Sequence, residues 1–431
     1  MRSYRTLFRT PEFTPFLLSF AAHAAAQTIG GLALGTLVFR ATGSPLLSAV
    51  SMFGPQLAQL LGATFLLSGA DRLPPRAVLS GLALAFAAGT AVLALPGLPV
   101  AAVFAVVLAQ GLIASLGGGV RAGLLNEILP KDGYVLGRSV FNMLWGLMQV
   151  AGFATGGALL ALLTPRACLL LAAALYVLSA LGTRLGLTAR PPPSSRLRSS
   201  RGDPHRSAGR PSVSATWRTN ALLWSSRPRR LTYLGLWIPN GLVVGCDSLF
   251  VSYAPGAAGT LFACGALGMF VGDVTVGRLV PPTWRPRLAV PLRLLLAAPY
   301  LFFVLQPGVA LSAVATAVAS VGYGASLVLQ ERLMSLTPDD LAGQALGLHF
   351  VGMSTLQGVG AALAGTVAQL TSPATAMTLL AAASVTVTLT LAALGRQEER
   401  RPAVPGTPPG VLPEPAVTDP PRRGARREGA Q

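Results

Sequence analysis

The sequence predicts an all-α membrane protein with twelve transmembrane helices in two pseudo-symmetric six-helix bundles. Three observations predict this fold: few charges, long apolar runs and an internal repeat. Only 11% of the 431 residues are charged, whereas soluble domains carry roughly 25%. The nonpolar residues, counted as AVILMFWYC, make up 52% of the chain. This composition excludes an ordinary soluble globule.

Uninterrupted apolar length predicts the membrane crossings, because a helix needs about 20 mostly apolar residues to cross the hydrocarbon. The chain has twelve such stretches, named spans 1 to 12: 13–38, 45–68, 77–95, 99–124, 136–163, 165–187, 231–253, 256–278, 288–305, 308–329, 342–369 and 373–394. The start of span 1 also resembles a secretory signal peptide, since Arg2, Arg5 and Arg9 precede an apolar run. That run continues to Phe39, so we interpret it as the first membrane helix.

The basic residues predict the orientation. Of the 33 Lys and Arg residues, all except Arg40 and Arg166 fall at the termini, in alternate connections, or close beside them. Cytoplasmic loops carry such an excess of positive charge. The pattern therefore predicts a multi-pass protein of the cytoplasmic (cell) membrane with both termini in the cytoplasm. We interpret the charge as topology and not as nucleic-acid binding, with anionic lipid headgroups as neighbours of the basic loops.

Composition divides the chain into four segments. Residues 1–189 form the first six-helix bundle and residues 231–396 form the second. Residues 190–230 and 397–431 are rich in Pro, Ser and Arg with few apolar residues, which predicts a disordered cytoplasmic linker and a disordered tail. The linker either fixes topology as a solvated segment or has a regulatory or lipid-binding role.

The two bundles repeat each other. Five residues recur after 208 positions: Pro130, Asp132, Gln149, Gly152 and Gly157 match Pro338, Asp340, Gln357, Gly360 and Gly365. Two six-helix bundles in a parallel repeat are a transporter architecture, in which the substrate site lies between the halves near the middle of the membrane.

The connection after span 2 carries a family signature. Asp71-Arg72-Leu73-Pro74-Pro75-Arg76 matches the acidic and basic positions of the loop that marks the major facilitator superfamily, although Leu67 stands at its first glycine. The chain resembles this family from span 1 to span 12. The resemblance implies that Asp71, Arg72 and Arg76 form charge-assisted bonds that latch a cytoplasmic gate. We place three more charged residues with gating or interfacial pairs: Arg121, Asp273 and Arg278.

Two partial signatures resemble bacterial drug and metabolite exporters. Span 4 contains Gln110-Gly111, with Val107 where proton-coupled exporters carry Arg. Span 5 contains Gly152 followed by Gly156-Gly157, with Phe153 where those exporters have Pro. Close helix packing explains these glycines equally well. The departures leave the choice between proton antiport and other transport open.

Polar residues inside the spans are the candidates for a proton or substrate cavity, because polar groups are costly in hydrocarbon and face a bundle interior or wet cavity. Asp247 could bind a proton, pair with a cationic substrate, or face water near the outer end. His23 and His349 are either protonatable or substrate-contacting groups, or buried neutral histidines bonded to a carbonyl. The whole candidate set is His23, Gln27, Gln110, Asn142, Asn240, Asp247, Tyr323 and His349.

We therefore expect a monomeric secondary transporter that works by alternating access and exports an amphipathic small molecule, such as a drug or secondary metabolite, in exchange for protons. An uptake permease or facilitator is the first alternative, and a non-transporting membrane receptor or scaffold is the second. No metal or cofactor is expected, because Cys168, Cys246 and Cys264 show no metal-ligand spacing. No acid/base pair indicates an enzyme.

The charge distribution predicts where labels will react. A cysteine introduced at Arg201 or in the tail should be protected from a membrane-impermeant maleimide in intact cells and should react in everted vesicles. Reaction of either position from outside would contradict the twelve-span topology.

Overall fold

The computed structural model describes residues 7–70, 74–129, 131–190, 213–338 and 341–399. Helices and short connections make up these ranges, as the sequence predicts. Eleven helices within them are long and apolar enough to cross a membrane. Span 2 corresponds to a further helix of 26 residues that is not among those eleven. The count of twelve crossings therefore stays a prediction.

The first half consists of long continuous helices. Proline opens spans 2, 3 and 6, where its fixed φ suits the first turn and its missing N–H leaves no bond unmade. Spans 1 to 6 are the helices Phe13–Thr42, Pro45–Ala70, Pro75–Leu93, Val100–Ile128, Lys131–Leu162 and Pro165–Gly186.

In the second half, four of the six spans change their helical geometry along their length. Span 7 is Arg227–Ser248 followed by Phe250–Tyr253, and span 8 is Ala258–Val274 followed by a π-helical turn, Thr275–Leu279. Span 9 is Arg285–Ala297 followed by the 3₁₀ segment Ala298–Leu305. Span 10 is Val309–Val321, the 3₁₀ turn Gly322–Gly324 and Ala325–Ser335. Spans 11 and 12 are Ala342–Leu370 and Pro373–Glu399.

The prediction of disorder from 190 to 230 is wrong for the last part of that segment. Residues Val213–Ser225 form a helix, and span 7 begins at Arg227, not 231. The helix is held by apolar contacts that composition alone hid: Leu223 is fully buried, and Trp224 stacks on Trp237 with 5.6 Å between ring centroids. Span 12 likewise runs to Glu399, three residues into the predicted tail. The rest of both segments lies outside the described residues.

The two halves make equivalent contacts at equivalent glycines, which confirms the repeat. A Cβ at Gly152 would lie 1.9 Å from Oγ1 of Thr28, so span 5 approaches span 1 closely. Its counterpart Gly360 would meet the carbonyl oxygen of Gly241 at the same 1.9 Å, and span 11 thus packs on span 7. Only glycine leaves room for the Thr28 side chain in the first half and for the Gly241 backbone in the second.

The second glycine pair joins the halves to each other. A Cβ at Gly157 in span 5 would lie 2.7 Å from Cα of Gly259 in span 8, and one at Gly365 in span 11 would lie 2.6 Å from Cα of Leu46 in span 2. All four residues lie toward the end that the charge pattern predicts to face outside, called here the outer end. Nearby, the Phe153 and Phe262 rings stack at 4.6 Å.

A polar contact and a shared apolar core complete this junction. Ser44 donates a 2.7 Å hydrogen bond to Oε1 of Gln369, linking the start of span 2 to the end of span 11. Leu32 of span 1 is fully buried in a core otherwise built mainly from the second half. The halves therefore close against each other at the outer end.

A side chain at position 157 should loosen that closure. Gly157→Val places methyl groups against the Gly259 backbone, so we expect the outer junction to open in a larger share of molecules. A cysteine at Leu32, in a chain lacking the three native cysteines, should then react faster with an impermeant maleimide. Gly81→Val is the matched control, because a Cβ at Gly81 meets nothing within 4 Å. Equal labelling in both variants would contradict the proposed junction.

Candidate functional site

A cavity of about 360 Å³ lies inside the first half. Residues of spans 1 to 6 form its walls, with Ser354 of span 11 contributed by the second half. The wall mixes apolar surface with amides, hydroxyls and one guanidinium. Its polar and amphipathic members are His23, Gln27, Ser51, Gln56, Gln59, Thr90, Gln110, Arg121, Trp145, Tyr176 and Ser354.

Three of the predicted cavity residues line this space: His23, Gln27 and Gln110. The Gln110 amide nitrogen donates to the carbonyl of Phe86 at 3.1 Å and to Oγ1 of Thr90 at 3.3 Å. Gly89 makes room for it, since a Cβ there would lie 2.6 Å from that nitrogen. Gln110 therefore ties span 4 to span 3.

His23 and Arg121 share one side of the cavity. The buried imidazole of His23 meets the rings of Phe86 and Tyr176 edge-on, with centroids 5.5 and 5.1 Å away. The Arg121 guanidinium carbon lies 5.3 Å from the centroid of the Phe20 ring. Sequence reasoning placed Arg121 at the cytoplasmic gate, but the structure places it on the cavity wall, because its face of span 4 turns toward span 1.

Asp247 is bound by two tyrosines. Tyr300 Oη donates to Oδ1 at 2.5 Å, and Tyr323 Oη donates to Oδ2 at 3.1 Å. Tyr300 lies in the 3₁₀ segment of span 9 and Tyr323 in the 3₁₀ turn of span 10. Asp247 is thus turned toward the other spans of the second half, and neither it nor Tyr323 lines the 360 Å³ cavity.

Two other predicted residues form hydrogen-bonded pairs between spans 7 and 11. The Trp237 indole donates to Nδ1 of His349 at 3.3 Å and to the His349 carbonyl oxygen at 3.1 Å. Nδ1 accepts this bond, and Nε2 on the other side of the ring is a buried atom with no hydrogen-bond partner among the described residues. Gln357 donates to Oδ1 of Asn240 at 2.8 Å. Neither His349 nor Asn240 lines the cavity.

Asn142 was predicted in the cavity, but its side chain is exposed and is not on the cavity wall. Span 5 presents Trp145 to the cavity instead. Asn142 and Trp145 point about 60° apart around the helix axis, because successive residues turn by about 100°.

The predicted gate residues lie in different structural environments. Asp71 and Arg72 lie outside the described residues. Arg76 donates to the carbonyl oxygen of Arg184, which ties span 3 to span 6 within the first half. Asp273 and Arg278 both have exposed side chains on span 8.

Sequence reasoning missed two ion-pair sites at the inner ends of the helices. Arg190 lies 2.6 Å from Glu12 and 3.7 Å from Glu127. Burial by itself raises the pKa of Glu12, but hydrogen bonds from Thr188 and Arg190 outweigh it and hold the pKa below its usual value. In the second half, Arg285 Nη1 lies 2.5 Å from Oε1 of Glu331.

It also missed Tyr176 in the cavity and Tyr300 beside Asp247. Each is a lone hydroxyl in an apolar run, so composition gave no reason to prefer it over a packing residue. The one usable signal was that a buried tyrosine hydroxyl generally has a polar partner.

Comparison with known proteins tests the predicted family membership. The Major Facilitator Superfamily profile matches residues 16–354. Curated protein sequences give no match. A bacterial homologue of the human lysosomal transporter Spinster, inward-facing and unoccupied, superposes with a TM-score of 0.68 at 14% identity, covering 90% of this chain and 97% of that one.

Two further solved structures share the fold. The nucleoside transporter NupG superposes with a TM-score of 0.66 at 15% identity, covering 88% of this chain and 99% of that one. A POT family transporter in complex with a thioalcohol-conjugated peptide gives 0.65 at 11% identity, covering 89% and 95%. With the profile match, the paired bundles and their equivalent glycine contacts, these likenesses lead to one conclusion: the chain belongs to the Major Facilitator Superfamily.

Proposed function

We propose that the protein is a secondary transporter of the cell membrane that works by alternating access and exports an amphipathic small molecule in exchange for protons. One observation carries the proposal: the close glycine contacts between the halves run from the outer end to the middle of the helices, where Gly358 meets Leu57, while the cavity extends inward to Arg121, in the inner third of span 4. Such an arrangement is one of the two states that alternating access requires.

Family membership supports transport in general, and the partial exporter signatures of spans 4 and 5 support export. The glycines of span 5 pack closely against span 1 of the same half and against span 8 of the other half. Such contacts hold one half together and join it to the other, as a carrier with two rocking halves requires. A facilitator would use the same fold without a coupling group. A scaffold would need neither a cavity nor a bonded carboxylate inside the second half.

Asp247 is the proposed proton site. An ionised carboxylate accepts both tyrosine hydrogen bonds, whereas protonation turns one oxygen into a donor. The tyrosine contact at that oxygen then weakens or reverses its direction. Because Tyr300 and Tyr323 belong to the two 3₁₀ segments of spans 9 and 10, proton binding would shift the helix interruptions that hold them. This couples a proton to the shape of the second half.

The loop after span 2 is proposed as the cytoplasmic latch, with Asp71 and Arg72 as its charged members and Arg76 anchoring span 3 to span 6. Asp273 and Arg278, on the exposed side of span 8, are proposed partners of this gate. Charged contacts of this kind form in one conformation and break in the other.

Replacing Asp247 tests the coupling. Asp247→Asn should abolish substrate-driven proton movement in everted vesicles while substrate exchange continues, because an amide cannot take up the proton. A panel of fluorescent dyes and antibiotics supplies substrates, and a pH-sensitive dye reports proton flux. Glu127→Gln is the control, since it removes a carboxylate far from the tyrosine pair, and we expect it to retain coupling.

Three results separate the candidates. Loss of proton movement in Asp247→Asn alone supports antiport. Gradient-independent equilibration in the wild type identifies a facilitator. Absence of accumulation, efflux and exchange for the whole panel, with normal folding and insertion, favours the scaffold.

The latch is tested separately. Asp71→Asn should lower the turnover rate several-fold while leaving the melting temperature of the purified protein nearly unchanged, because a surface bond is lost without opening a cavity. Unchanged turnover would mean that the loop signature has no gating role in this chain.

A further inference from the structure

The charge on the cavity wall is positive. Arg121 is a permanent cation on its wall, and the described lining residues include no Asp or Glu. Arginine stays protonated under all ordinary conditions. A molecule entering the cavity therefore meets one positive charge surrounded by neutral amides, hydroxyls and apolar surface.

Arg121 has no carboxylate partner among the described residues. Its guanidinium lies against the Phe20 ring and near Gly117, where a Cβ would lie 3.4 Å from Nη2. An arginine inside a membrane helix is costly and is usually paired. The contact with the Phe20 ring stabilises the guanidinium charge less than a bonded anion would.

The acids of spans 4 and 7 that the structure describes are otherwise engaged. Glu127, six residues after Arg121, lies 3.7 Å from Arg190 at the inner end of the first half. Asp247 accepts bonds from Tyr300 and Tyr323 in the second half. Neither carboxylate lines the cavity, so the charge of Arg121 remains available to a ligand.

The rest of the wall suits an organic body. Phe86, Trp145 and Leu82 offer aromatic and aliphatic surface, and the buried oxygen of the Gln56 amide has no hydrogen-bond partner in the part of the chain that the structure describes. A volume of about 360 Å³ falls in the range of small-molecule pockets. It is too large for a bare inorganic ion.

We propose that the cavity binds an amphipathic organic anion, its acidic group on the Arg121 guanidinium and its aromatic or alicyclic part against Phe86 and Trp145. A carboxylate can accept two parallel N–H bonds from a guanidinium. The inference rests on the proposed transport function in naming this anion as the cargo. It also predicts that this cavity binds a cationic substrate, the kind that Asp247 could pair with, more weakly than an anion.

Binding to the purified protein tests the charge without requiring transport. The full chain in nanodiscs is titrated calorimetrically with 2-naphthoate, with its neutral isostere 2-naphthamide and with 2-naphthylmethylammonium. We expect naphthoate to bind best. Arg121→Gln should weaken naphthoate binding by at least about tenfold, since a bond to a charged group is lost, and should leave naphthamide binding within about twofold.

Two variants control for charge and folding. Arg40→Gln removes an exposed arginine at the outer end of span 1 and should leave naphthoate binding unchanged. Arg121→Lys keeps the charge but not the planar fork, so its affinity should lie between wild type and Arg121→Gln. Melting temperatures of all variants verify the fold.

The outcomes distinguish this inference from the proposed function. Equal affinity for naphthoate and naphthamide, tighter binding of the ammonium compound, or no naphthoate binding by folded protein overturns the anion site. Arg121-dependent naphthoate binding by a protein that moves no substrate keeps the anion site and overturns transport. Proton-coupled transport of neutral or cationic dyes by Arg121→Gln at the wild-type rate keeps transport and overturns the anion site.

Discussion

The cost of a polar group in hydrocarbon is the constraint on which this structure depends. Inside the bilayer each backbone N–H and C=O must find a partner within the protein, so the chain is built from long helices. Side chains obey the same constraint. In the second half, His349, Asn240 and Asp247 all bond to residues of neighbouring spans, and each contact fixes how two spans pack.

The two halves meet this constraint differently. In the second half, hydrogen-bonded pairs link span 7 to spans 9, 10 and 11. The first half leaves several amides, hydroxyls and the Arg121 guanidinium around an open cavity. The repeat thus keeps one backbone plan with different interiors: a cavity with a partly polar wall in one bundle, and an acid held by hydrogen bonds in the other.

Small residues decide where the halves touch. With no water to expel from hydrocarbon, helix association depends on close packing. Gly157 against Gly259 and Gly365 against Leu46 bring backbones together at the outer end. Each pair joins one span of the first half to one span of the second. Leu32 of the first half is also buried in the core of the second, so separating the halves at this end would expose part of that core.

The sequence by itself determined the fold class, the approximate spans, the repeat and the family, because apolar length, charge placement and glycine spacing act locally along the chain. It also predicted His23, Gln27 and Gln110 in the cavity. Only the tertiary structure decided that Arg121 faces the cavity, that Asn142 does not, and that Tyr300 and Tyr323 bind Asp247. Such facts depend on the rotation of each helix about its axis and on contacts between residues more than fifty positions apart. No local pattern records them, and in a bundle where almost every face is apolar, hydrophobic periodicity is too weak to fix them.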